Sequence, residues 1–449
     1  MTAIWLYAII TPFGSVRLKS VKNVLKERKV FVVIQVGAEE HELPFDLVYF
    51  RKNLMLSTVK MWTLIGCSVN ILLTYVHFYV FFYQRFLAPN LKHKGRRAVN
   101  FGYMVDSHED IAWNVIALGR DFTVRVSEWQ EEASLTAKAG QRLLSIADLL
   151  EAQVRLIIGT IFVLPEKAAR SNWNEGLIHY RNEAEAYAQG QEQLDYYHAL
   201  AARDERVQLI QSAAELDNFI ASMDSQPAKL GLIISMEGAD PITEPEQLLQ
   251  WVGRGLRLIG PAWKGTRYCG GTGEPGPLTP AGHKLLAEME RLGVILDVSH
   301  MAEESFYQSL EAYKGTVIAS HSNCRHYVNT DRQLSDDMIK QLLARDAVIG
   351  TVLYNRFLTG GTEANLGDVI KHMSHICELA GHTRSIAIGS DYDGGFGVET
   401  IPQPMQKVGD LYMLAEALMQ HGFSEADVNN IFHANWVRIL RQGLVKIQN

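Results

Sequence analysis

Past Asn100 this chain repeats one unit: a short apolar run of strand length, then an amphipathic stretch with helical spacing. Eight such runs read as strands, at 101–105, 156–163, 232–235, 256–259, 294–298, 316–319, 348–353 and 386–389. The stretches between them carry helix punctuation. Thr243 and Glu246 have capping-box spacing ahead of Leu248, Leu249 and Val252, and Thr279 with Pro280 opens a helix that Gly293 closes. Another helix, 303–314, is expected to stop at Gly315. Strand alternating with helix argues for a parallel sheet wrapped by helices, and eight is the strand number of a (β/α)8 TIM barrel. The rival is a doubly wound open sheet, which usually carries a glycine-rich phosphate turn that is missing here.

A barrel assembles its chemistry at the C-terminal ends of its strands, so polar residues that finish apolar runs carry the most information. The first run leads into Asp106, Ser107, His108, Glu109 and Asp110, and the third ends on Glu237. The fifth ends on Asp297 and His300, the sixth on His321, and the eighth on Asp391 and Asp393. A period of two turns His108 and Asp110 the same way. A single strand-end histidine is more often a hydrogen-bonded structural residue than a ligand, and a single aspartate more often caps a turn. Their joint placement on five strand ends argues otherwise. Imidazoles and carboxylates together suit Zn2+ or a similar divalent ion. The expected arrangement is binuclear, two Zn2+ per chain, with His108 and Asp110 on one ion, His300 and His321 on the other, and Glu237 bridging. Two such ions would hold a shared hydroxide and polarise the carbonyl it attacks.

In this order the segments Asp106 to Asp110 (DxHxD), SMEG with Glu237, DVSH with His300, SHS with His321 and GSDYDG with Asp391 give the chain from Val105 onward a specific likeness. It resembles the membrane (renal) dipeptidase family, zinc enzymes of the metal-dependent amidohydrolase superfamily. The resemblance implies the same five ligands, with Asp391 as the catalytic acid that takes a proton from the attacking water and returns it to the leaving amine. It also implies that Arg332 holds the substrate's free carboxylate with help from Tyr354. The expected activity is hydrolysis of small dipeptides, tolerant of side chain and of a D-residue at the second position, by a protein that often dimerises. The alternative is an amidohydrolase acting on N-acyl amino acids or cyclic amides at the same binuclear site. A barrel that only binds its ligand is opposed by retention of all five ligands and Asp391. One departure concerns specificity. Trp263 stands where mammalian-type members carry a histidine that contacts the scissile carbonyl, so it is expected to line the substrate pocket without that contact. Arg267 and Tyr268, close by, are candidates to compensate.

The first hundred residues differ from the rest. Residues 62–84 contain no Asp, Glu, Lys or Arg, are apolar on every face and crowd their aromatics toward one end. They are expected to form a single transmembrane helix within a leader, 1–95, ahead of a catalytic domain, 96–449. Arg85, Lys92, Lys94, Arg96 and Arg97 outnumber Arg51, Lys52 and Lys60, which favours a cytoplasmic C-terminal flank. A cytoplasmic location is the alternative if the leader is not part of the mature protein. No cleavable signal peptide is expected at the start. Residues 15–55 receive no assignment, although 30–36 are rich in β-formers.

A formal charge of −7 leaves no basic footprint for nucleic acid. Cys67, Cys269, Cys324 and Cys377 form no CxxC pair, so neither a disulfide framework nor a thiolate metal site is expected. His283, His326, His372, His375 and His382 read as surface residues.

Overall fold

The computed structural model describes four strands within residues 9–46 and, beyond them, residues 102–130, 134, 136, 139–169 and 177–444. The chain divides between Arg96 and Arg97 into two units. In the first, β1 (Ile9–Thr11), β2 (Gly14–Val24), β3 (Lys29–Val36) and β4 (Glu39–Asp46) pair antiparallel in that order. The β-former run at 30–36, unassigned from sequence, lies in β3. Among the described residues no helix is long and apolar enough to cross a membrane. The expected span 62–84 lies outside them.

The second unit is an α/β fold around a curled parallel sheet. Its strands are β5 (Met104–Glu109), β6 (Val154–Phe162), β7 (Val207–Leu209), β8 (Leu230–Glu237), β9 (Leu256–Gly260), β10 (Ile295–Asp297), β11 (Val317–Ile318), β12 (Ile349–Thr351) and β13 (Ile386–Ile388). They run β11-β10-β9-β8-β6-β5, with β7 also on β8, and β12 pairs β13. A parallel bridge from Ala319 to Ile349 carries the sheet from β11 into β12. Each of the eight expected strands has its counterpart. The first is displaced, beginning at Met104 and running through the polar residues Asp106 to Glu109, all of them buried. Apolarity alone stopped the expected strand too early. The three-residue β7 is too short to show a period and was not expected.

Period-two alternation sorts each strand into two faces. Val105, Leu156, Ile158, Ile233, Leu258, Ile295, Ile318, Val348 and Ala387 form one buried cluster on the inner face, which the helix Asn435–Gly443 joins through Trp436, Ile439 and Leu440. Trp436 Nε1 donates to the Ile388 carbonyl at 2.7 Å. Followed toward the C-terminal ends, the same inner rows turn polar: Ser107 after Val105, Thr160 after Ile158, Ser235 and Glu237 after Ile233, Asp297 after Ile295, Ser320 after Ile318. The apolar layer is a floor, and the polar layer above it is where the site is built. Gly350 and Gly389 make room for the seam, since a Cβ on either would lie 1.9 Å from the Ser320 carbonyl oxygen. Through that gap Ser107 Oγ donates to the same carbonyl at 2.6 Å.

Among the helices, Pro280–Leu292 starts and stops as expected: Thr279 accepts from the Gly282 N–H and Gly293 adopts φ 68°. The Thr243–Glu246 capping box does not form. Thr243 Oγ1 instead donates to Gln247 Oε1 at 2.8 Å, because a short 3-10 turn at Pro245–Gln247 precedes the helix and moves Gln247 into reach. The helix expected over 303–314 is Glu303–Ala312, ending on an extended Tyr313 before Gly315 is reached.

Candidate metal centre

His108 and Asp110 leave the end of β5, Glu237 ends β8, and His300, His321 and Asp391 follow β10, β11 and β13. All converge above the floor. Glu237 Oε2 lies 3.8 Å from His108 Nε2, while Glu237 Oε1 lies 3.1 Å from His300 Nε2 and 3.3 Å from His321 Nε2. One carboxylate thus turns one oxygen toward His108 and the other toward His300 and His321. His108 Nε2 is also 3.9 Å from both Asp110 Oδ2 and Asp391 Oδ1. Two overlapping donor sets result, His108–Glu237–His321 and His108–Asp110–Asp391. Asp110 is the N-cap of the helix Ile111–Leu118, yet its side chain makes no capping bond, which leaves the carboxylate free for the cluster.

The surrounding bonds fix which ring nitrogens point inward. Ser320 Oγ donates to Asp297 Oδ2 and lies 2.8 Å from His321 Nδ1, so that ring must donate from Nδ1 and present a bare Nε2. Thr272 Oγ1 meets His300 Nδ1 at 3.0 Å. His300 Nε2 and His321 Nε2 face each other at 3.0 Å beside Glu237 Oε1. A bare nitrogen and a carboxylate oxygen held this close repel unless a cation or proton lies among them. Buried His108 Nε2, Asp110 Oδ1 and Glu237 Oε1 have no hydrogen-bond partner. Native interiors rarely leave such atoms unsatisfied, so these residues fit a bound divalent ion.

The electrostatics agree. Burial pushes His108 down to about 4 and holds His300 and His321 well below the ordinary imidazole range. Burial raises Glu237 to about 6, and burial reinforced by neighbouring carboxylates holds Asp110 and Asp391 well above the usual range. Every shift penalises the charge the group would carry alone. A dication among them reverses the penalty for all the carboxylates and takes up the imidazole lone pairs.

His300 at φ 65° and Asp391 at φ 61° adopt the left-handed region, rare for residues with a Cβ. Such strain persists where surrounding bonds over-determine a conformation, commonly at functional sites. Asp393, also left-handed, turns away: its carboxylate accepts from the N–H groups of Leu143 (2.8 Å) and Leu144 (3.1 Å).

Arg332 is buried and donates from Nη2 to the His321 carbonyl at 2.7 Å, while its Nε has no partner. Its guanidinium lies 5.0 Å over Phe357, whose ring also meets Tyr354 edge-on at 5.0 Å. Tyr354 stacks on Phe396 at 4.3 Å. Trp263 meets Phe162 edge-on at 5.0 Å and lies 6.4 Å from the His300 ring, so it flanks the cluster. The candidates to compensate for it are occupied elsewhere. Arg267 pairs with Glu183 at 2.7 Å and Asp240 at 3.3 Å, and buried Tyr268 donates its hydroxyl to the Ile242 carbonyl.

Sequence reasoning named Asp106 and Asp297 at strand ends without giving them a role, and it missed Thr160 and Ser320. Asp106 Oδ1 accepts from the Ser390 N–H at 2.8 Å, tying the β5 end to the residue before Asp391. Asp297 accepts from both Ser299 N (3.0 Å) and Ser320 N (2.9 Å), bracing the segments of His300 and His321. The period-two rows above contain Thr160, Asp297 and Ser320, and that is the signal that finds them; Asp106 lies on the opposite parity of β5, with His108.

Two of the histidines expected at the surface are not free there. His372 is buried, accepting from Cys324 N at Nδ1 and facing the Leu358 carbonyl with Nε2, both at 3.0 Å. His375 is half-buried and contacts Asp336. Helical spacing located their common face, but the packing partner of that face was not visible in sequence. Cys269 and Cys324 are buried and Cys377 is half-buried, all three as free thiols.

Dipeptidase 3 of Rattus norvegicus is 31% identical over 165 residues, which covers 37% of this chain and 33% of that protein. A solved metallopeptidase, the dipeptidase AC of family M19, superposes with a TM-score of 0.63 at 23% identity, covering 77% of this chain and 99% of that one. A metallopeptidase from Rhodobacter sphaeroides, solved with a phosphinate mimic of the dipeptide L-Ala-D-Ala, gives a TM-score of 0.62 at 23% identity and covers 76% of this chain and 99% of its own. The two structural likenesses show a shared TIM-barrel-like fold. The family model for membrane dipeptidase, peptidase family M19, matches residues 96–448, and the chain belongs to that family.

Proposed function

We propose that this chain is a zinc-dependent dipeptidase with a binuclear centre, on a (β/α)8 barrel closed between β13 and β5. The observation that carries the reading is Glu237, one of whose oxygens faces His108 while the other faces His300 and His321, in a buried cluster with orphaned donor atoms. His108 and Asp110 would hold one ion and His300 and His321 the other, with Glu237 shared between them. When bound, divalent ions there supply Lewis-acid polarisation of the scissile carbonyl and make water a nucleophile at neutral pH.

The chain's own residues do the rest. Arg332 receives the substrate's terminal carboxylate on its unpaired Nε edge, and Tyr354 shapes the wall beside it. Asp391, buried next to His108, accepts the proton that the attacking water gives up. The oxygen adds to the carbonyl carbon, the C–N bond breaks, and Asp391 delivers the proton to the departing nitrogen. Trp263 offers no protonatable group, so it contributes shape and excludes water.

The test is turnover of free dipeptides and their N-acetylated forms by the full-length protein reconstituted with zinc. Release of amino acids from the free peptides alone supports the dipeptidase; cleavage of the acetylated set alone moves the assignment to an N-acyl amino acid hydrolase. Residues 96–449 are proposed as the catalytic domain, supported by the start of the family match, and 62–84 as a single-pass anchor. A homodimer is proposed from the family resemblance alone.

A further inference from the structure

We propose that His326, Asp336 and His375 form a peripheral site for one Zn2+-class divalent ion, on residues distinct from the candidate active centre. Each offers one donor atom, and the three donors lie within 4.8 Å of one another. His375 Nε2 is 2.8 Å from Asp336 Oδ1, and the His326 and His375 rings stack at 4.5 Å with an interplanar angle of 22°. The donors come from three places in the fold. Asp336 begins the helix Asp336–Ala344, His375 lies on the helix Leu366–Ala380, and His326 sits in the segment after β11.

The donor chemistry selects the ion. Two imidazoles and one carboxylate suit a borderline metal, whereas Ca2+ and Mg2+ prefer oxygen ligands throughout. A dication neutralises the carboxylate, and the exposure of His326 leaves room for water as a fourth ligand. Metal–donor bonds of about 2.0–2.1 Å in a tetrahedron set donors about 3.3 Å apart, so the His375–Asp336 contact opens by roughly half an ångström. Neighbouring His372 is not available, since both its ring nitrogens are engaged. Burial keeps the Cys324 thiol protonated.

Position gives the site a consequence. His326 and Asp336 bracket Arg332, so an ion shared with His375 clamps both ends of that segment to one helix. This consequence rests on the role proposed for Arg332; the metal site itself does not.

The experiment compares full-length wild type with His326→Ala and His375→Ala, each dialysed to equilibrium against buffered zinc and analysed for metal and for thermal midpoint. The wild type is expected to hold one more equivalent than either variant, and His326→Ala to weaken that equivalent at least about tenfold. Zinc should raise the wild-type midpoint by a step that His326→Ala lacks. His326 is exposed, so this variant keeps the fold and decides the question even if His375→Ala does not fold. Equal zinc content and equal midpoint shifts in wild type and His326→Ala would overturn the proposal and leave an ordinary His375–Asp336 ion pair.

Discussion

Replacing Arg332 by glutamine should erase the protein's preference for substrates with a free C-terminal carboxylate. In the resting site one edge of this buried guanidinium is spent on the His321 carbonyl at 2.7 Å, the contact to Ser322 Oγ is long at 3.4 Å, and Nε is unpaired. An unsatisfied buried donor costs about 1–3 kcal/mol, and a charge-assisted bond to a carboxylate contributes about 1.5–3 kcal/mol. A carboxylate that satisfies Nε and meets the positive charge therefore contributes about 3 kcal/mol, or roughly 150-fold in kcat/KM. Most of this should appear in KM, because the carboxylate lies away from the reacting bond and is bound equally in ground and transition states.

The assay is a cycle of two enzymes and two substrates, wild type and Arg332→Gln against a dipeptide and its C-terminal amide. Wild type should prefer the dipeptide by roughly 150-fold, and the variant should treat the two almost alike. The amide also controls for structural damage, since Arg332 supports the backbone of His321 and its loss can disturb that residue for any substrate. An equal loss on both substrates would refute the argument and leave Arg332 as a brace for His321.

Asp391→Asn should retain its metal by elemental analysis while kcat falls about a thousandfold, the scale of a lost general acid–base; unchanged turnover would remove Asp391 from the proton path. Exhaustive chelation should lower the thermal midpoint by about 10 °C, because buried Asp110, Glu237 and Asp391 lose their counter-charge, and an unmoved midpoint would separate metal from stability. His372 is held neutral, pushed down to about 4 from 6.5 by burial, so its stabilisation is complete above pH 6.5 and is lost as pH falls toward 4. That loss is roughly 3 kcal/mol, and urea unfolding of His372→Asn should show a correspondingly smaller decline over this interval; an identical decline would exclude His372 as its source. A chain beginning at residue 96 should fold and bind metal on its own, whereas insolubility or loss of metal would make the leader part of the fold.

The barrel-like strands and the six polar side chains that meet above the floor were legible because both are carried by local pattern. A short apolar run locates a strand, and a polar residue ending it is visible without knowing what lies opposite. What stayed hidden depends on contacts between distant segments. Gln247 displaced Glu246 in the expected cap because a 3-10 turn reset the register. His375 looked like an isolated surface residue because its partners, Asp336 and His326, lie 39 and 49 residues earlier in the chain.

The strand pattern that revealed the fold did not reveal which polar groups hold the ligands in place. Thr160 lies inside the apolar run 156–163 and Ser320 just past 316–319, while Asp106 and Asp297 stand at strand ends among ligand candidates, and each is spent inside the protein. Asp297 shows the physical logic. Its carboxylate accepts from two backbone N–H groups and from the Ser320 hydroxyl, so the serine can only accept from His321 Nδ1, and the lone pair of Nε2 is delivered to the cluster. His300 and Asp391 pay in left-handed backbone for pointing the same way. The fold's own hydrogen bonds position these groups, so the cost of gathering three imidazoles and three carboxylates is met by folding. Binding then releases the charge penalty that folding stored.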